Sequence, residues 1–216
     1  MPIFPFIPDG ATLASYSLAC LVLFITPGPD MSLTLAKTIS GGRAAGIAAM
    51  LGAGLGCIVH SLLAALGISA LIAASPAAFL ALKFAGALYL LWLAIDAVRH
   101  GSALNVRASQ QRRAPFWRTL ALGLTVNLTN PKIVLFFVTF LPQFVDPSDT
   151  HASARLAFLG IYFVVFSMPL AVLMILAAER VVGGIKHRPR LMRGIDWVFA
   201  GMFGAFAIKI IATQGR

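Results

Sequence analysis

Two charged residues stand where charge is costly. Asp30 closes the string Thr26-Pro27-Gly28-Pro29-Asp30 and Lys132 closes Asn130-Pro131-Lys132, and both strings interrupt long apolar stretches. An ionised side chain in such a setting has to be paired, hydrated or offered to a ligand. A carboxylate and an ammonium group at matching depths suit a zwitterion. The ammonium group of an amino acid would take Asp30, and its carboxylate would take Lys132 and the amides of a helix end. The rival reading is an internal Asp30–Lys132 salt bridge, or two side chains that snorkel to an interface.

The strings themselves say how these residues are positioned. Proline removes a backbone donor and clashes with the preceding turn, and the residue before it avoids helical geometry. Two prolines flanking Gly28 therefore predict a broken helix. Broken backbone at membrane depth is tolerated only where protein or a water-filled cavity surrounds it. Pro29 suits the first position of a new half-helix, whose amides and positive dipole end would face that cavity. In the second string Asn130 suits an N-cap and Pro131 the position after it, with the half-helix running through Leu141 until Pro142. The stretch from Phe116 to Phe144 would be about 43 Å long as a helix, which puts its break near mid-depth. Asp30, Lys132 and the amides of the half-helix that starts at Pro29 are thus the candidate ligand contacts, with Asp30 also the candidate proton-coupling group.

The elements around them are dictated by composition. Of 216 residues 59% are hydrophobic and 11% charged, with a mean hydropathy of +0.90, against about a quarter charged in an ordinary soluble domain. Such a surplus of apolar surface predicts an all-α integral membrane protein. It argues against a disordered chain, a nucleic-acid-binding domain and a secreted disulfide scaffold. Six apolar stretches follow, at about 11–36 with the first break inside it, 44–74, 77–97, 116–144 with the second break, 152–178 and 195–213. The net charge of +10 resides mainly in loops. Three alternate connections carry 12 basic residues: Lys37 and Arg43; Arg99, Arg107, Arg112, Arg113 and Arg118; Arg180, Lys186, Arg188, Arg190 and Arg193. The positive-inside rule then places these loops in the cytoplasm and both termini outside; a five-span arrangement would move the N-terminus inside. Met1 to Ala11 holds no basic residue, so it lacks the basic region of a secretory signal and the first stretch is expected to stay.

The chain reads as two similar halves in one membrane domain: 1–100 as the first three-helix repeat, 101–115 as a basic cytoplasmic linker, and 116–216 as the second repeat. Each half starts with a proline-broken stretch, and the third members share Phe84-Ala85-Gly86 and Phe199-Ala200-Gly201. Three spans per half is an odd number, so the second copy inserts inverted, an arrangement common in secondary transporters. The other polar residues have plainer readings. Cys20 and Cys57 are small core residues, His60 a packing residue rather than a proton carrier, and Lys83 a snorkelling side chain. Asp96 and Asp196 are expected to pair at the surface beside the basic loops. Gly52-Ala53-Gly54-Leu55-Gly56 lets helices approach closely, within one subunit or, in the alternative, across a homodimer.

Beyond these separate readings, the strings LFITPGPDMSLTLAKTISGGRAAGIAAMLGAGLG, KFAGALYLLWLAIDAVR and NLTNPKIVLFFVTFLPQFV resemble the LysE/RhtB family of amino-acid exporters, and the similarity runs over essentially the whole chain. The resemblance implies a multi-pass carrier of the bacterial inner membrane, in contact with lipid, that moves amino acids or close derivatives outward in exchange for protons. It implies that Thr26, Pro27, Gly28, Pro29, Asp30, Asn130, Pro131 and Lys132 line the transport site, and these are the candidate substrate-binding residues. Substrates of lysine, arginine, threonine, homoserine, homoserine-lactone, leucine and cysteine-derivative type all fall within it.

Other classes fare worse on the residues alone. A metal-ion or other small-cation exporter of similar topology, the alternative, would draw on Asp30, His60, Cys20 and Cys57, spread over different stretches and too few for a cage. An enzyme would need a cluster of nucleophile, base or metal ligands, and the sequence offers none; no cofactor or metal is expected. A scaffold subunit would not call for two charged helix breaks.

Overall fold

The structure, a computed structural model, describes residues 5–100, 114–146, 148–180, 182 and 189–214. Most of the expected linker, Lys186 and Arg188 lie outside the described residues, as do the side chains of Lys83 and Lys209. All regular structure among the described residues is helical: α1 (Gly10–Ile25), α2 (Pro29–Gly41), α3 (Arg43–Leu63), α4 (Ser69–Ala74), α5 (Pro76–His100), α6 (Phe116–Leu128), α7 (Pro131–Leu135), α8 (Ala152–Leu176) and α9 (Pro189–Gln214). A π-helical turn, Ala64–Ile68, joins α3 to α4. Arg43–Ile68, Ala77–Asp96 and Ala152–Leu176 are each long and apolar enough to cross a membrane, and with the bent pairs α1–α2 and Phe116–Leu128 with Pro131–Phe144 the number rises to five if each pair is one span. The chain is an all-α membrane protein, with large apolar side chains such as Leu63, Leu66, Val165 and Leu173 exposed on its outer faces.

The two bends are nearly equal, 54° and 53°, and each falls at its proline motif. The second half-helix departs from the expected regular run to Leu141. It widens into a π turn over Phe136–Phe140 and tightens into a 3-10 turn over Leu141–Phe144. Pro142 cannot donate to a regular helical ladder, and such a register change accommodates it. Bulky rings also fix this segment: Phe136 packs on Phe163 and Phe140 on Phe203, both with ring centroids 5.0 Å apart. Beside them Tyr16 is fully buried and its hydroxyl donates to the Leu159 carbonyl at 3.0 Å.

Helix α3 is the centre of the bundle, packed on α2, α6 and α8. Glycine makes the closest of these approaches. Gly52 faces the Leu120 backbone of α6, and Gly123 of α6 faces the Ala49 backbone of α3, so the two backbones touch where a side chain would hold them apart. The glycine pattern of α3 therefore packs within the chain: Gly54 admits the Met168 methyl group and Gly56 the Asn127 side chain. The turn into α3 uses Gly42 at φ +84°, a region costly for other residues.

One sequence expectation is corrected. Asp196 is buried, at 3% exposure, because it lies on the stripe Met192, Asp196, Phe199, Phe203, Ala207 that α9 turns inward; a helix buries one face at this spacing whatever residue falls on it. The paired third-helix strings lie in different surroundings. Gly86 meets Thr139 closely, whereas the space around Gly201 is open.

Candidate functional site

The helix breaks create the site by leaving backbone groups unmet. In α1 the Leu23 carbonyl would ordinarily accept from residue 27, but Pro27 has no N–H. Lys132 supplies the missing donor from the other half of the chain. Its Nζ donates to the Leu23 carbonyl at 3.0 Å and to the Thr26 carbonyl at 2.7 Å. A cation there also meets the negative end of the α1 dipole. Gly28 leaves room for it: a Cβ at that position would lie 3.2 Å from Lys132 Nζ. An ammonium group has three N–H donors, so this arrangement leaves one for a ligand.

The second break is closed by its own residues, through one side chain and one backbone amide. Asn130 Oδ1 accepts from the Lys132 amide at 3.1 Å, and the Asn127 carbonyl, which Pro131 cannot serve, accepts from the Asn130 amide at 3.0 Å. The first break has no such closure, since Gly28 brings no side chain to cap α2. The two breaks are thus unlike: α7 begins capped, and α2 begins with amide donors available to an anion.

Asp30, in the first turn of α2, is held by amides rather than by Lys132. Its Oδ2 accepts from Asn127 Nδ2 at 2.8 Å and from Asn130 Nδ2 at 3.0 Å. Asn127 is held in turn by Cys57, whose thiol donates to Asn127 Oδ1 at 3.7 Å. The other carboxylate oxygen, Oδ1, is buried and has no hydrogen-bond partner. An ionised oxygen in that position is costly until a proton or a cation joins it.

These groups line one cavity of about 110 Å³, room for several waters or one small solute. Gly28, Asp30, Asn127, Asn130 and Lys132 form its polar part, and α3 and α8 supply an apolar wall that includes Met50, Cys57, Phe163 and Met168. Four of the eight sequence candidates, Gly28, Asp30, Asn130 and Lys132, therefore line it together. Thr26, Pro27, Pro29 and Pro131 do not; they make the breaks, and the Thr26 hydroxyl is spent on the Val22 carbonyl at 2.7 Å. Asn127 and the α8 wall escaped the sequence reading. Asn127 carried a usable signal, being three residues ahead of Asn130 and so on the same side of the chain. His60 stacks on Phe137 at 5.6 Å and does not line the cavity. Cys20 and Cys57 are free thiols in buried positions, and no group of three His, Cys, Asp or Glu side chains converges among the described residues.

Comparison with known proteins agrees with this architecture. The family model "LysE type translocator" matches residues 21–214. An uncharacterized membrane protein of Pseudomonas aeruginosa is 30% identical over 201 residues, covering 91% of this chain and 93% of its own. The homoserine/homoserine lactone efflux protein of Salmonella typhimurium is 30% identical over 88% of this chain and 90% of its own. The leucine efflux protein of Salmonella choleraesuis is 26% identical over 93% and 94%. No solved structure matches the chain significantly. With a family match that spans both helix breaks and the cavity between them, the chain belongs to the LysE type translocator family.

Proposed function

We propose that the protein exports an amino acid or a close derivative across the bacterial inner membrane, taking up a proton in exchange. The observation that carries this reading is that the unmet Asp30 Oδ1 and the third donor of Lys132 belong to residues that line one small cavity. The substrate's ammonium group takes Asp30 Oδ1. Its carboxylate takes Lys132 Nζ and the first amides of α2. When the substrate leaves outward, Asp30 loses its cation and accepts a proton, which neutralises it in apolar surroundings; release of that proton to the cytoplasm readies it for the next substrate. Two relatives are named for efflux, one of homoserine and its lactone and one of leucine, which supports the direction of transport.

Proteoliposomes loaded with amino acids under an imposed pH gradient test the exchange. Wild-type protein is expected to drive efflux with the gradient, and Asp30→Asn to abolish that drive. Full gradient-driven efflux by Asp30→Asn would refute the proton role.

A further inference from the structure

The inner face of α8 is apolar apart from one hydroxyl. Phe163, Val164, Ser167, Met168, Ala171 and Met174 line the cavity, with Ser167 in the middle of that helical face. Hydroxyls inside helices ordinarily donate back to the carbonyl four residues earlier. Those of Thr38, Ser61, Thr125 and Thr139 do so, at 2.7, 2.7, 3.0 and 2.8 Å. The hydroxyl of Ser167 does not: its Oγ is buried and has no hydrogen-bond partner. An unspent hydroxyl in the lining of a cavity can hydrogen-bond a polar group that enters it.

Charge narrows what that is. Asp30 and Lys132 are the charged side chains of the cavity lining, and an amino acid occupies both through its own ammonium and carboxylate groups. A third charge, on the side chain of lysine, arginine, aspartate or glutamate, would rest against α3 and α8 without a counter-charge, which is costly. The wall also includes Met31, Met50, Met168 and Met174, flexible side chains that adapt to varied apolar shapes.

We infer that the cavity takes amino acids with small uncharged side chains and that Ser167 Oγ is its specificity contact, hydrogen-bonding a hydroxyl or carbonyl oxygen carried by that side chain. This rests on the reading of the cavity as the amino-acid site. Threonine and valine provide the probe, because their side chains match in shape and differ by a hydroxyl in place of a methyl group. The full chain in proteoliposomes is measured for exchange of labelled threonine, valine and lysine, as wild type and as Ser167→Ala. The ratio of threonine to valine is internal to each preparation and does not depend on how much protein inserts.

The wild type is expected to favour threonine and to move lysine at least tenfold more slowly than either. Ser167→Ala should lower the threonine-to-valine ratio roughly fivefold, the worth of one neutral hydrogen bond, with valine exchange retained. An unchanged ratio in Ser167→Ala, or lysine moving as fast as threonine, overturns the inference while leaving an amino-acid carrier in place. Failure to exchange any amino acid overturns both.

Discussion

At the scale of single residues, the chemistry of the site comes from backbone groups that proline leaves unmet. Lys132 is both a ligand candidate and a structural cap, because its ammonium group holds the Leu23 and Thr26 carbonyls across the interface of the two halves. The dual role makes a specific outcome expected. Lys132→Met keeps most of the side-chain volume and leaves both carbonyls without that donor, a loss of about 2 kcal/mol. In detergent this should appear as a thermal midpoint roughly 5 °C lower, together with lost transport. An unchanged midpoint would mean that the two contacts contribute nothing to the fold. The charged pair could be located from sequence because charges in apolar stretches are conspicuous. That Lys132 and Asp30 would each find separate partners could not, because Leu23 and Lys132 are 109 positions apart and only the folded chain brings them together.

At the scale of elements, the order of the helices was legible, their limits only in part, and their mutual packing was not. The apolar stretches at 116–144 and 152–178 match α6, α7 and α8 within a few residues, because hydropathy and proline position act locally. The π turn at Phe136–Phe140 and the burial of Asp196 depend on neighbouring helices, so local pattern is silent about them. Helix α3 lines the site with Met50 and Cys57 and also shapes it from behind through a glycine. A methyl group at Gly56 would collide with Asn127, whose Cβ would lie 2.9 Å away, and Asn127 positions the Asp30 carboxylate. Gly56→Ala is expected to cut efflux at least tenfold, whereas Gly201→Ala, in open space, should leave it near the wild-type rate. Equal activity of the two variants in the same vesicle assay would break the link from α3 through Asn127 to the site. The start of α1 is built on the same local logic as the breaks. Asp9 caps it by accepting from the Thr12 amide at 3.0 Å and the Thr12 hydroxyl at 2.6 Å, and these hydrogen bonds, the hydroxyl's foremost, hold its carboxyl below the usual aspartate range.

At the scale of the whole molecule, two helices bent by nearly equal angles place their breaks around one cavity, and the breaks divide the work. The first presents uncapped amides and a carboxylate with one oxygen unmet. The second is capped and contributes the cation and the amides that hold that carboxylate. The sequence motifs pointed to both breaks, but the apolar wall on α8 emerges only when α3 and α8 are packed together. Cys57 lies in the lining of this cavity and Cys20 does not, so Cys57 reports on the site directly. In protein carrying Cys20→Ala, alkylation of Cys57 by a small thiol reagent is expected to slow several-fold when a transported amino acid is added, and to lose that protection in Asp30→Asn. An alkylation rate indifferent to every amino acid that the protein transports would contradict the placement of the transport site between the two broken helices.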